Sequence, residues 1–151
     1  MKVVIYIAYE QIGFFIGLGK LLLERHEVLF LAEGRDVDSL IKRHIPDAVT
    51  RVNEKELSEL SPDIISDACK LEERYQIRIS ALIAEDRALG RGYLFNVDRY
   101  PGRKKSWWAN ERKISAVMSQ FRQVEEMLES YHPDCLICWR SNPVLFQVAK
   151  Y

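Results

Sequence analysis

Val3-Val4-Ile5-Tyr6-Ile7-Ala8-Tyr9, closed by Glu10-Gln11 and followed at once by Phe14-Phe15-Ile16-Gly17-Leu18-Gly19-Lys20-Leu21-Leu22, is the stretch on which the fold turns. An unbroken apolar run bounded by polar residues reads as a strand buried on both faces, the place a strand takes in a parallel sheet. Behind it Phe14, Phe15, Leu18, Leu21 and Leu22 recur at helical spacing, which predicts a helix over Phe14–His26. Glu27–Leu31 is a second short apolar run, closed by Glu33-Gly34. Val37–His44 is helical in pattern and Pro46 ends it, because a proline disfavours helix at the residue before it. Val49–Val52 is a third strand. The order βαβαβ is the signature of a parallel sheet with helices on its faces.

The alternation then lengthens. Ser61-Pro62-Asp63 has the form of an N-cap followed by proline at the first helical position. Leu71, Tyr75, Ile79 and Leu82 carry a helix to about Arg87, where Gly90 and Gly92 break the pattern. A second long helix runs from about Trp107 to Tyr131, with Ile114, Val117, Met118, Phe121, Val124 and Leu128 on one stripe. His132-Pro133-Asp134 stops it, Cys135–Trp139 is a short strand, and Arg140-Ser141-Asn142-Pro143 opens another helix. The expectation is an α/β fold: a Rossmann-like parallel sheet with helices on both faces and two long helices inserted before the last strand. Leu145, Phe146 and Val148 have the character of core residues in a helix that needs further turns. Residues 1–151 are therefore expected to be a single Rossmann-like amino-terminal domain, a fragment of a longer two-domain protein.

The chain has 151 residues, 48% of them hydrophobic, enough for a proper core. Lysines and arginines balance aspartates and glutamates at 22 each, which argues against a globally basic nucleic-acid binder. Residues 1–86 hold eleven basic and sixteen acidic side chains, whereas residues 87–113 set eight basic ones against Asp98 and Glu111. The opening apolar run is too short to span a bilayer and carries no small-residue cleavage site. With only Cys69, Cys135 and Cys138 a disulfide framework is not expected, and the compartment implied is the cytoplasm.

The glycines after the first strand invite comparison with phosphate loops. Five residues rather than four separate Gly13 from Gly19-Lys20, and Leu21 stands where a magnesium-binding hydroxyl belongs. The dinucleotide spacing is also absent, so no cofactor is expected. What survives is a helix amino terminus at Ile12-Gly13 whose N–H groups suit an anion; Gly17 is expected to let the helix approach the sheet. Cys135-Leu136-Ile137-Cys138 has metal-pair spacing, yet in a strand residues three apart point to opposite faces. Both cysteines read as small core hydrophobes, with no metal.

Asp86 continues the stripe of Tyr75, Ile79 and Leu82, and a carboxylate there is costly unless paired. Arg87, Arg91 or a backbone cap would satisfy it structurally; at a cleft it would instead meet a ligand hydroxyl. Arg140, Ser141 and Asn142 follow the last strand, and Glu10, Gln11 and Glu33 should line the same edge, where open α/β sheets bind ligands. Ser141 or Asn142 also reads as a simple N-cap ahead of Pro143. The loop Arg99–Lys105, with Trp107-Trp108 beyond it, is either a solvated surface or a contact for anions.

Taken together, Met1–Gly34, the segment Glu85-Asp86-Arg87-Ala88-Leu89-Gly90-Arg91-Gly92-Tyr93 and Asp134-Cys135-Leu136-Ile137-Cys138-Trp139-Arg140 resemble the amino-terminal domain of bacterial capsule and surface-polysaccharide biosynthesis proteins of GT-B glycosyltransferase type. The resemblance implies an acceptor-side domain, with the nucleotide-sugar donor held by a carboxy-terminal Rossmann domain outside this chain. Glu10, Glu33 and Asp86 are then the candidate catalytic carboxylates, one acting as base if the reaction inverts. Gln11, Gly13, Arg87, Arg91, Arg140, Ser141 and Asn142 are the candidate substrate-binding residues. The implied partners are a nucleotide-sugar donor and a saccharide acceptor, with no nucleic acid, and the basic loop is a candidate contact with the inner face of the membrane. Two other functions fit the same pattern, a non-catalytic interaction or regulatory module and half of a nucleotide-sugar epimerase.

Overall fold

The structure, a computed structural model, describes residues 1–8, 11–53, 62–85, 110–138 and Val144. The expected architecture is present: a four-stranded parallel sheet with helices between the strands and a long helix before the last one. The strands are β1 (Lys2–Ile7), β2 (Glu27–Glu33), β3 (Val49–Asn53) and β4 (Cys135–Ile137), in the spatial order β3-β2-β1-β4. Helix α1 covers Ile12–Leu23, α2 Arg35–His44, α3 Ile64–Tyr75, α4 Ile79–Glu85 and α5 Asn110–Tyr131. The fold is Rossmann-like. Among the described residues no helix is long and apolar enough to cross a membrane.

The chain divides into two compact units, Met1–Glu54 with Glu125–Ser141, and Lys55–Val124 with Asn142–Tyr151. In the first unit the register Val3↔Val28, Ile5↔Phe30, Ile7↔Ala32 puts the odd residues of β1 and the even residues of β2 on one face. Phe15 of α1 and Val37 and Ile41 of α2 close over that face, with Ile12, Leu18, Leu22, Cys135 and Ile137 packed against them. Val4, Tyr6, Leu29 and Leu31 are buried on the other face. There Arg51 donates to Ser130 Oγ at 3.0 Å, which brings the carboxyl end of α5 to that side. Burial on both faces is why β1 and β2 read as continuous apolar runs. At the amino edge, Lys2 N–H donates to Asp134 Oδ2 at 2.7 Å and Asp134 N–H to the Lys2 carbonyl at 2.8 Å, which fixes the turn leading into β4.

Two details differ from the sequence pattern. Gly19, not Gly17, is the glycine of close approach: a Cβ on Gly19 would collide with the Phe30 ring, whereas Gly17 faces open space. Gly19 shares a helix face with Phe15, and Gly17 lies away from the sheet. The helix expected to run to Arg87 is interrupted at Gln76, which adopts a left-handed conformation (φ 51°) and caps α3. Glu72 then accepts the Ile79 N–H at 2.8 Å and starts α4 afresh. Tyr75, Ile79 and Leu82 are buried in the second unit all the same, and Tyr75 packs against Phe121 with ring centroids 5.1 Å apart.

Candidate functional site

Parallel pairing aligns the carboxyl ends of the strands, so whatever follows each strand gathers on one edge. The chain steps outward from β1 to β2 to β3, then returns to the other side of β1 for β4. The crevice between β1 and β4 is therefore the topological switch point, where open α/β sheets bind ligands. Helix α1 begins just after β1, at this crevice. Its N-cap is Gln11, which makes no side-chain capping bond, and no acidic residue occupies the first turn. A twelve-residue helix thus presents its positive dipole end without a carboxylate of its own to neutralise it. Gly13 is exposed and a Cβ there would meet nothing within 4 Å, so a ligand can approach the backbone closely.

Glu33 stands at the end of β2, exposed, on the same edge. The chain turns from it into α2 through Gly34, whose φ of 90° is one that residues with a side chain rarely adopt. Helix α2 carries Asp36 and Asp38 in its own first turn, so its dipole end is already met. Gln11 and Gly13 at the end of β1 and Glu33 at the end of β2 are thereby brought to one edge. Glu10, Asp86, Arg87, Arg91, Arg140, Ser141, Asn142 and the basic loop Arg99–Lys105 lie outside the described residues.

Asn53 is a residue the sequence reading missed. It ends β3, pairs in register with Glu33, and is only 2% exposed. Among the described residues, neither Oδ1 nor Nδ2 of its buried amide has a hydrogen-bond partner. The sequence signal was available: an asparagine closing a short strand of a parallel sheet falls on the carboxyl edge of that sheet. Beyond β4, burial pushes the Cys138 thiol up. Among the described residues, no three histidine, cysteine or acidic side chains cluster as metal ligands do.

The second unit has an open groove lined by Cys69, Glu72, Glu73, Gln76, Ile77 and Arg78. Its best acceptor is already engaged, since Glu72 holds the Ile79 N–H and pairs with Arg78 at 3.0 Å. The groove is a by-product of the α3–α4 joint.

The fold is that of a Rossmann-like α/β protein whose carboxyl strand edge carries Gln11, Gly13 and Glu33. Comparison with models of known families, with curated proteins and with solved structures finds no match to this chain.

Proposed function

We propose that this chain is the acceptor-side α/β domain of a glycosyltransferase that builds a surface polysaccharide. The observation that carries the reading is the uncapped amino terminus of α1 at the β1/β4 switch point, with Glu33 on the same edge. Helix N–H groups and a solvated carboxylate are complementary to a ligand rich in hydroxyl and anionic oxygens. In the complete enzyme a saccharide would lie along this edge, and Glu33, Glu10 or Asp86 would take the proton from its attacking hydroxyl. The nucleotide-sugar donor belongs to the second half of the cleft, since transfer needs both substrates held in near-attack geometry.

Calorimetric titration of the protein with a panel of nucleotide sugars and of saccharides tests this. The expected result is heat from a saccharide and little or none from nucleotide sugars, with no sugar transfer. Micromolar binding of a nucleotide sugar would reverse the assignment of the two halves of the cleft.

A second reading, a non-catalytic interaction module, is favoured by the surface of α1. Phe14 and Leu21 lie two turns apart on that helix and are 62% and 66% exposed. Phe14→Ser with Leu21→Ser would abolish partner binding in that case and leave saccharide binding unchanged.

A further inference from the structure

We infer that Asn53 and Glu33 form a recognition site for a pair of neighbouring hydroxyl groups at the carboxyl edge of β2 and β3. The inference rests on the saccharide reading above and names the residues that would read the sugar. Glu33 and Asn53 are register partners in adjacent parallel strands, so by strand alternation both side chains leave the same face of the sheet. That face is the one opposite α1 and α2, because those helices close over the alternate set of residues. Asn53 is 2% exposed, yet among the described residues its amide oxygen and nitrogen both lack a partner.

A buried amide left unpaired at both ends is costly, and a fold keeps one only for a reason. An aliphatic side chain of the same shape would serve the core better. It lies at the carboxyl end of β3, on the same edge of the sheet as the β1/β4 switch point but two strands away from it. An amide offers one donor and one acceptor side by side, and the neighbouring carboxylate offers acceptors only. The complement of that set is two adjacent hydroxyls. One donates to the Glu33 carboxylate and accepts from Asn53 Nδ2–H, and the other donates to Asn53 Oδ1. Vicinal hydroxyls of this kind occur on hexopyranoses and on ribose.

Two variants and one spectroscopic readout test the site. Asn53→Leu should raise the melting temperature by about 2–4 °C, the shift expected for relief of one unpaired group in a chain of this size. The same variant should lose binding of methyl hexopyranosides at least tenfold, and Glu33→Gln should weaken it without altering the melt. In the unaltered protein, the side-chain amide resonance of Asn53 should move on titration with the glycoside, a measurement that holds even if Asn53→Leu fails to fold. Uridine beside 2′-deoxyuridine distinguishes the source: a response to uridine alone assigns the hydroxyl pair to ribose instead of a hexose. Glycoside binding that leaves the Asn53 resonance and both variants unaffected overturns the site while the saccharide reading stands. No binding of any glycoside or nucleoside overturns both. A lower melting temperature for Asn53→Leu, with binding unchanged, shows that water within the fold serves the amide, and the site falls.

Discussion

Helices α1 and α2 pack on the same face of the same sheet, and each follows a strand directly, yet they are finished in opposite ways. Helix α2 has Asp36 and Asp38 in its first turn and Lys42, Arg43 and His44 in its last, which matches its dipole at both ends. Lys42 and Asp38, one turn apart, pair at 3.0 Å, and only Val37 and Ile41 are buried. Helix α1 has no acid in its first turn, Lys20 as its only last-turn base, and exposed Phe14 and Leu21. One helix is stabilised from within. The other depends on the sheet beneath it.

The largest expected effect concerns how α1 meets the sheet. Gly19→Val should destabilise the protein by about 3 kcal/mol, because the new side chain must enter space held by the Phe30 ring. Gly17→Ala, two residues away in open space, should stabilise it by about 0.5–1 kcal/mol. Urea melts of the two variants would show opposite signs. Equal destabilisation would mean that α1 is rotated from the position described.

A smaller effect is expected from making α1 resemble α2. Gln11→Asp supplies the missing cap and first carboxylate, and should add about 0.5–1 kcal/mol. It should also weaken any stabilisation of the protein by added phosphate or a phosphorylated sugar, since the carboxylate then competes for the same N–H groups. A gain in stability with unchanged anion response would place the anion elsewhere.

The smallest effect sharpens the other side of the comparison. Burial of Asp38 in α2 pushes its carboxyl up, but the Thr50 hydroxyl, the Lys42 hydrogen bond and the Lys42 charge outweigh it, so the net shift is downward. A carboxyl depressed in the folded state stabilises above its unfolded value, near about 3.9, and that stability disappears as pH falls through the lower folded value. Asp38→Asn should therefore flatten the stability profile below about pH 4 and cost only about 0.3–0.5 kcal/mol at neutral pH. Melts at stepped acid pH would show it.

Much of this fold was legible along the chain. The apolar run after Lys2 and the periodic stretches after β1 and β2 each report burial that neighbours in sequence share, so the strands and helices could be placed within a few residues. Glycine roles were less legible, because which of Gly17 and Gly19 touches the sheet depends on the helix's rotation, and α1 is apolar on nearly every side. The stop at Gln76 was hidden for a related reason: Tyr75, Ile79 and Leu82 keep helical spacing across a joint that Glu72 makes with its side chain.

The amino-acid sequence by itself determined the elements of the β1–β3 half, their parallel pairing and the edge that carries Gln11, Gly13 and Glu33, since apolar periodicity, proline and glycine act over a few residues. Only the tertiary structure decided the strand order β3-β2-β1-β4, the collision that makes Gly19 indispensable and the burial of an unpaired Asn53. These depend on which distant segments meet. No local pattern of residues encodes the partner that an amide or a methyl group will find across the sheet.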